Sequence, residues 1–336
     1  MTRTLFPSCA GNGARLGLGG APLGNLFERV AEVDARAVVQ AAWSSGCRSF
    51  DTAPHYGHGL SERRLGDALR GDAQAGLFLS TKVGRLLQAD ATTPSAQHGY
   101  VDVLPFTQHW DFSAGGVRRS LEDSLQRLGL AQVDLLFVHD CDAATHGAAA
   151  EAVRRQVIDE TLPALHAMKR EGLIRAVGLG VNDVRIVLDV LREAEVDALM
   201  LAGRYSLLDH SALLELLPLC EARGVRIAIG GAFNSGLLAT GTRGGGVPRF
   251  NYAAAPAPWI ARTAQIEAVC DAHGVPLRAA ALQFPLAHPA VDLVMVGARS
   301  VAEWRDALAM VAQPIPAGFW RDLRAAGLLP EAAPTP

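Results

Sequence analysis

Phe50 to Leu69 reads F-D-T-A-P-H-Y-G-H-G-L-S-E-R-R-L-G-D-A-L. An apolar, β-prone lead-in, Cys47 to Phe50, delivers an acid, Asp51, and four residues of turn chemistry separate it from Tyr56. Ser61 stands at an N-cap position before an amphipathic helix whose Leu65 and Leu69 share one face. The pattern puts Asp51 at the carboxyl end of a strand and Tyr56 in the following loop. A buried acid and a packed aromatic satisfy the same pattern, so this stretch alone does not declare chemistry.

Two further strand ends change that. Leu77 to Val83 (L-F-L-S-T-K-V) carries Lys82, and Val133 to Val138 (V-D-L-L-F-V) runs into His139 and Asp140. Burying an ammonium costs several kcal/mol unless it is paired, and Asp51 is the natural partner. An acid, a phenol, an ammonium and an imidazole thus converge from three successive strand ends.

Working outward, short apolar strands alternate with amphipathic helices. Leu16–Gly19 is the first strand, and a helix over Val33–Ser44 carries Val33, Ala37, Val38 and Ala41 on one stripe. After Ser113, Val117, Leu121, Leu125 and Leu128 recur at helical spacing. Strands at Ile174–Leu179, Ala198–Leu201, Arg226–Ile229 and Leu293–Val296 follow, each with its helix, including Glu151–Arg170, Asn182–Ala194 and Ser211–Arg223. Eight strand-then-helix units without an internal linker predict one (β/α)8 barrel domain, an α/β fold spanning 1–336. Residues 1–15 read as a plug-like hairpin, and Phe319–Leu328 as an extra C-terminal helix. A doubly wound sheet would want G-x-G-x-x-G after the first strand, where only G-x-G-G is present (Gly17, Gly19, Gly20). The stretch 85–112 lacks periodicity, but Tyr100, Phe106, Trp110 and Phe112 make it an ordered lid rather than a disordered one.

Composition bounds the classes of function. With 336 residues, 49% hydrophobic and a formal charge of −3, the chain can bury a large core and shows no basic footprint for nucleic acid. There is no apolar run of membrane-spanning length and no export pattern at the N-terminus. Five scattered cysteines suit reduced thiols, so a cytoplasmic location is expected. Cys141 reads as a packed thiol. No histidine spacing fits a metal site, so none is expected, although His55, His58, His109, His139 and His146 lie near the barrel mouth.

A free tyrosine has a pKa near ~10, and a neighbouring ammonium favours its phenolate. Lys82, aimed by Asp51, is therefore expected to ease Tyr56 towards proton exchange, with His139 orienting the same substrate oxygen. Such a centre needs an external electron carrier. Gly230 to Leu238 (G-G-A-F-N-S-G-L-L), including Phe233, Asn234, Ser235, Gly236 and Leu237, lets backbone amides approach a pyrophosphate. Gly297-Ala298-Arg299-Ser300 opens a helix after the last strand, a phosphate position in this barrel, and Arg299 can fork onto a ribose phosphate.

F-D-T-A-P-x-Y-G (Phe50 to Gly57), T-K-V (Thr81 to Val83), F-V-H-D (Phe137 to Asp140) and G-A-R-S together resemble the aldo-keto reductases, from Leu16 to about Leu328. The resemblance implies a tetrad of Asp51, Tyr56, Lys82 and His139, with Tyr56 as acid/base and NADP or NAD bound extended. R-S-L-E-D-S-L-Q-R-L-G-L (Arg119 to Leu130), L-A-G-R-Y-S-L-L-D (Leu201 to Asp209), the Gly230 loop and A-A-A-L-Q-F-P-L-A-H-P (Ala279 to Pro289) are most similar to one branch. It holds the aldose 1-dehydrogenases of L-fucose, L-galactose and D-threo-aldoses, and pyridoxal 4-dehydrogenase. By that likeness the chain oxidises an aldose at C1 to a lactone. A general aldehyde reductase, pyridoxal oxidation, and a non-catalytic coenzyme-binding sensor are the alternatives.

Departures are specific. Gly230 or Gly231 replaces an aromatic that stacks on nicotinamide, and Gly180-Val181-Asn182 leaves Asn182 as carboxamide ligand. Ala202 replaces a glutamine; towards the adenine, Glu303 replaces a glutamine and Ala307 an asparagine. Gly20 joins the coenzyme contacts by the same likeness, and Arg299 leans towards NADP. His55, Trp110, Asp140 and Arg204 are the expected substrate contacts.

Overall fold

The computed structural model describes residues 4–11, 13–70 and 76–336. Eight parallel strands pair in chain order and close into a barrel: β1 (Leu16–Gly19), β2 (Ser49–Asp51), β3 (Phe78–Val83), β4 (Leu135–His139), β5 (Ala176–Val181), β6 (Ala198–Ala202), β7 (Arg226–Gly230) and β8 (Val291–Gly297). Closure comes from β8 against β1, in a register that runs from Leu16 beside Val294 to Gly19 beside Gly297. The helices lie outside, as alternating strands and amphipathic helices require.

Strand alternation sorts the side chains into two compartments. On β3, Phe78 joins a cluster in the lumen while Leu79 and Val83 pack on the helices, which sends Ser80 and Lys82 inward. On β4, Leu135 and Phe137 face the lumen and Leu136 and Val138 the helices, so His139 ends the inward row. On β2, Phe50 packs outward beside Trp43, leaving Ser49 and Asp51 inward. Met200 and Met295 fill the middle of the lumen, each such buried side chain contributing about 1.5–3 kcal/mol. The polar layer sits above this apolar floor, at the carboxyl ends of the strands.

The other end is plugged. Phe6 stacks edge-on against Phe78 at 5.2 Å, and the amides of Leu5 and Phe6 donate to Asp292, which also accepts from Arg226. The predicted hairpin is a turn closed by the Cys9 amide donating to the Ala14 carbonyl, with no strand before Leu16 among the described residues; residues 1–3 and 12 lie outside them.

Three local expectations shift. The first helix, Glu32–Ser44, buries Ala35, Val38, Val39 and Ala42 and leaves Val33 73% exposed, because the apolar run offered two adjacent stripes and packing chose between them. The helix Leu60–Leu69 begins behind Gly59 (φ +92), so Ser61 is not its cap. The Ser61 hydroxyl instead donates to the Gly20 carbonyl and accepts from Thr52, pinning the β1 loop to the β2 loop. The stretch 85–112 is an antiparallel ribbon, Arg85–Ala89 against Phe106–Trp110, tipped by a small hairpin that bridges Tyr100 to Leu26. Gly84 turns the chain into this ribbon at φ +104, where a Cβ would lie 2.4 Å from the Phe112 ring, so only glycine fits. No helix among the described residues is long and apolar enough to cross a membrane.

Candidate active site

At the carboxyl ends of the strands Tyr56, Lys82 and His139 line one cavity of about 250 Å³, and Asp51 stands behind Lys82 as its ion-pair partner. The Lys82 ammonium donates to Asp51 Oδ2 at 2.6 Å and to the Thr52 carbonyl at 2.8 Å, and both side chains are at most 5% exposed. Ser80 donates to the other Asp51 oxygen at 2.8 Å. The acid is therefore clamped by two inward neighbours from β3, and it aims the ammonium 4.6 Å from the centre of the Tyr56 ring. The His139 ring meets Tyr56 edge-on at 6.0 Å.

Electrostatics here differ from the expectation in one respect. Burial pushes the Tyr56 phenol well above its ordinary pKa, Asp51 and Asp140 push it further, and Arg85 is the cation that opposes them. A lysine at this distance does not overcome the loss of water. The phenol is a proton donor at neutral pH. His139 is held well below its ordinary value by burial, Arg85 and Lys82, hence a neutral imidazole, and its buried Nδ1 has no partner among the described residues. Burial pushes Asp51 up against the pull of Lys82, and pushes Asp140 up to about 6 against the pull of Arg85.

Arg85 is the cation that sequence reasoning missed. It stands three residues beyond Lys82, 7% exposed, bonded to Asp140 Oδ2 at 2.6 Å and lying 4.2 Å over the Trp110 ring. Its only sequence signal was that closeness to Lys82. Asp140 lines the cavity in a left-handed conformation (φ +45), held by its amide on Gly180 and by His146 on its carbonyl. Tyr100 and Tyr252 also line the cavity; Tyr252, on the long β7 connection, carried no signal at all.

The expected substrate contacts divide. His55 and Asp140 line the cavity, whereas Trp110 and Arg204 do not. Trp110 stacks between Phe112, His146 and Arg85 on the ribbon. Arg204 is spent on scaffolding, reaching the Asn182 carbonyl, Asp209 and Asn251. Among the other histidines, His58 is buried and bonded to the Phe106 carbonyl, and burial pushes the Cys141 thiol up.

The expected coenzyme residues divide as well. Asn182 lines the cavity, beside Ala21, Gly180 and Ala202, whose small side chains leave a flat-walled slot. In the β7 loop the amides of Ala232, Phe233 and Ser235 make no hydrogen bond among the described residues. Asn234 itself is not free: its carboxamide accepts from Ser206 at 2.6 Å and it sits 3% exposed. Leu237 is in the core, and Gly20 is wedged between the Ser61 hydroxyl and the Asp51 carbonyl. Gly297 ends β8 and Ala298 follows it; Ser300 caps the helix Val301–Ala312 by accepting from the Glu303 amide, which leaves the amides of Val301 and Ala302 open to an anion. Arg299, expected to be free for a phosphate, is held between Glu303 and Glu28. A slot, a row of unpartnered amides and a helix N-terminus along one rim fit an extended dinucleotide.

The model of the aldo/keto reductase family matches residues 15–327. A pyridoxal 4-dehydrogenase of Microbacterium luteolum is 45% identical, with 94% of each chain covered. A D-threo-aldose 1-dehydrogenase of a Pseudomonas species is 39% identical over 94% of each, and the L-galactose dehydrogenase of Arabidopsis thaliana 33% identical over 89% of this chain and 84% of that one. Among solved structures, a holo aldo-keto reductase of Bacillus halodurans superposes with TM-score 0.70 at 24% identity over 96% of each chain, and a glycerol dehydrogenase of Gluconobacter oxydans with TM-score 0.73 at 22% over 96% and 93%. Barrel, cavity and relatives agree: this chain is a member of the aldo/keto reductase family.

Proposed function

We propose that the chain oxidises the ring hydroxyl carbon of a cyclic hemiacetal to a lactone, acting on an aldose of the L-fucose, L-galactose or D-threo type. The observation that carries this is the buried Asp51–Lys82 pair beside Tyr56 and a neutral His139, on a cavity the size of a single ring. Tyr56 exchanges the hydroxyl proton, Lys82 opposes the charge that grows on the phenolic oxygen, and Asp51 keeps the ammonium in place. His139, neutral, hydrogen-bonds the substrate oxygen without competing for its proton. The nicotinamide coenzyme, when bound, supplies the hydride-accepting carbon. The β7-loop amides and the Ser300-capped helix hold its phosphates. Asn182 orients its carboxamide end, and the ring-lined cavity excludes water from the reacting carbon.

Two carboxylates flank Arg299, and carboxylates accept from a ribose diol but repel a ribose phosphate, which favours NAD over NADP. A second substrate has support from the rings around the cavity (His55, Tyr100, Tyr252) and from the 45% identical relative: pyridoxal, itself an aromatic hemiacetal in water. The test is reduced-nicotinamide absorbance with L-fucose, L-galactose, D-arabinose and pyridoxal, each with both coenzymes, and trapping of the lactone. Tight coenzyme binding without turnover of any of them rejects the reading in favour of a coenzyme-binding sensor.

A further inference from the structure

The ribbon carries a chain of contacts that the tetrad does not use. Gln108 Oε1 lies 2.9 Å from His55 Nδ1 and 3.4 Å from Arg85 Nη1, while Gln108 Nε2 is buried without a partner. A guanidinium only donates, so the amide atom turned towards Arg85 is the oxygen. An amide oxygen only accepts, so the His55 nitrogen that meets it carries the proton. Arg85 itself cannot swing away, because Asp140 holds it at 2.6 Å and the Trp110 face covers it at 4.2 Å. The logic leaves His55 with Nε2 as its one acceptor, on a residue that lines the cavity beside Tyr56 and His139. Free neutral imidazole prefers the opposite tautomer.

We propose that Arg85 and Gln108 are positioning residues that fix His55 as its Nδ1–H tautomer, so that Nε2 accepts a hydrogen bond from a hydroxyl next to the carbon being oxidised. The nature of that hydroxyl rests on the function proposed above; the tautomer does not. Both proposed substrates have such a group, the neighbouring ring hydroxyl of an aldose and, in its uncharged form, the phenol of pyridoxal. The arrangement discriminates strongly, because a ligand without the donor leaves a buried acceptor unpaired.

Proton–nitrogen correlation spectra of the nitrogen-labelled full chain, with His55 assigned through His55→Gln, read the tautomer directly. The wild type is expected to show Nε2 unprotonated. Gln108→Leu moves the proton to Nε2, and Gln108→Glu, still an acceptor, keeps the wild-type form. A wild-type Nε2–H, or an unchanged tautomer in Gln108→Leu, overturns the proposal. In kinetics with L-fucose and pyridoxal, Gln108→Leu raises KM about tenfold with kcat within about threefold, and Gln108→Glu restores KM. An equal rise in KM for Gln108→Leu with the deoxy analogues lacking the neighbouring hydroxyl also overturns it. Should neither substrate turn over, the functional reading falls and the spectra still decide the tautomer.

Discussion

The two rims of the barrel mouth are built from different parts of the polypeptide. Across β2, β3 and β4, the working groups are side chains, and several are held by other side chains: Ser80 and Lys82 on Asp51, Arg85 on Asp140, Gln108 on His55. Across β7 and β8, the groups open to a ligand are main-chain amides, and the polar side chains there serve the loop itself, Asn234 through Ser206 and Arg299 through two glutamates. Proton chemistry needs groups that titrate, which the backbone lacks. Phosphate binding needs converging N–H groups, which the backbone supplies wherever it is left unpaired. Substitutions on the first rim should therefore change chemistry, and those on the second should change affinity.

The sharpest way to break that contrast is Lys82→Met. It strands a buried carboxylate, so stability falls by about 3–5 kcal/mol in urea denaturation and turnover is lost. Adding Asp51→Asn should return much of the stability and none of the turnover; recovery of both would mean the pair is purely structural. Tyr56→Phe comes next, cutting kcat by about 10²–10⁴-fold while tryptophan-fluorescence titration finds coenzyme affinity nearly intact.

The pH dependence follows from the raised phenol pKa. Oxidation needs the phenolate, which is scarce below the folded-state pKa, so kcat/KM for oxidation climbs with pH from neutrality into the alkaline range. Carbonyl reduction uses the phenol and holds over the same range. A flat oxidation profile between about pH 6 and 9 removes Tyr56 as the base. On the other rim, Asn234→Ala loosens the loop that presents the amides, and coenzyme Kd should rise by about tenfold with kcat little changed. The smallest effect belongs to Glu28→Gln with Glu303→Gln, which should move the NADP/NAD ratio of kcat/KM several-fold towards NADP; no movement removes Arg299 from that contact.

The same contrast explains what was legible beforehand. Lys82 and His139 were readable because a lysine inside one apolar strand and a histidine at the end of the next violate the strands' pattern, and period-two alternation sends both inward. The helix of Val117, Leu121, Leu125 and Leu128 appears as expected, Ala114–Leu128, and Ser113 caps it by accepting from the Gly116 amide. The side chains of Asn234 and Leu237 turn into the loop and the core, which was not legible because a Gly-rich loop announces exposed backbone without saying where its side chains go. Ser61 was misjudged for a related reason: a serine near a helix start has several backbone partners within reach, and Gly20 won.

Local chemistry along the chain was enough to order the strands, to place the acid, phenol, ammonium and imidazole on neighbouring strand ends, and to make a barrel the economical closure, because alternation and burial costs act over a few residues. Tertiary structure alone decided the charge states and the remaining wall of the cavity. Burial dominates at the Tyr56 phenol, and Tyr100 and Tyr252 reach the wall from the ribbon's tip and the long β7 connection, with Gln108 behind His55. Electrostatic energies depend on distance and solvent exclusion among groups far apart in sequence, and no spacing along the chain encodes those quantities.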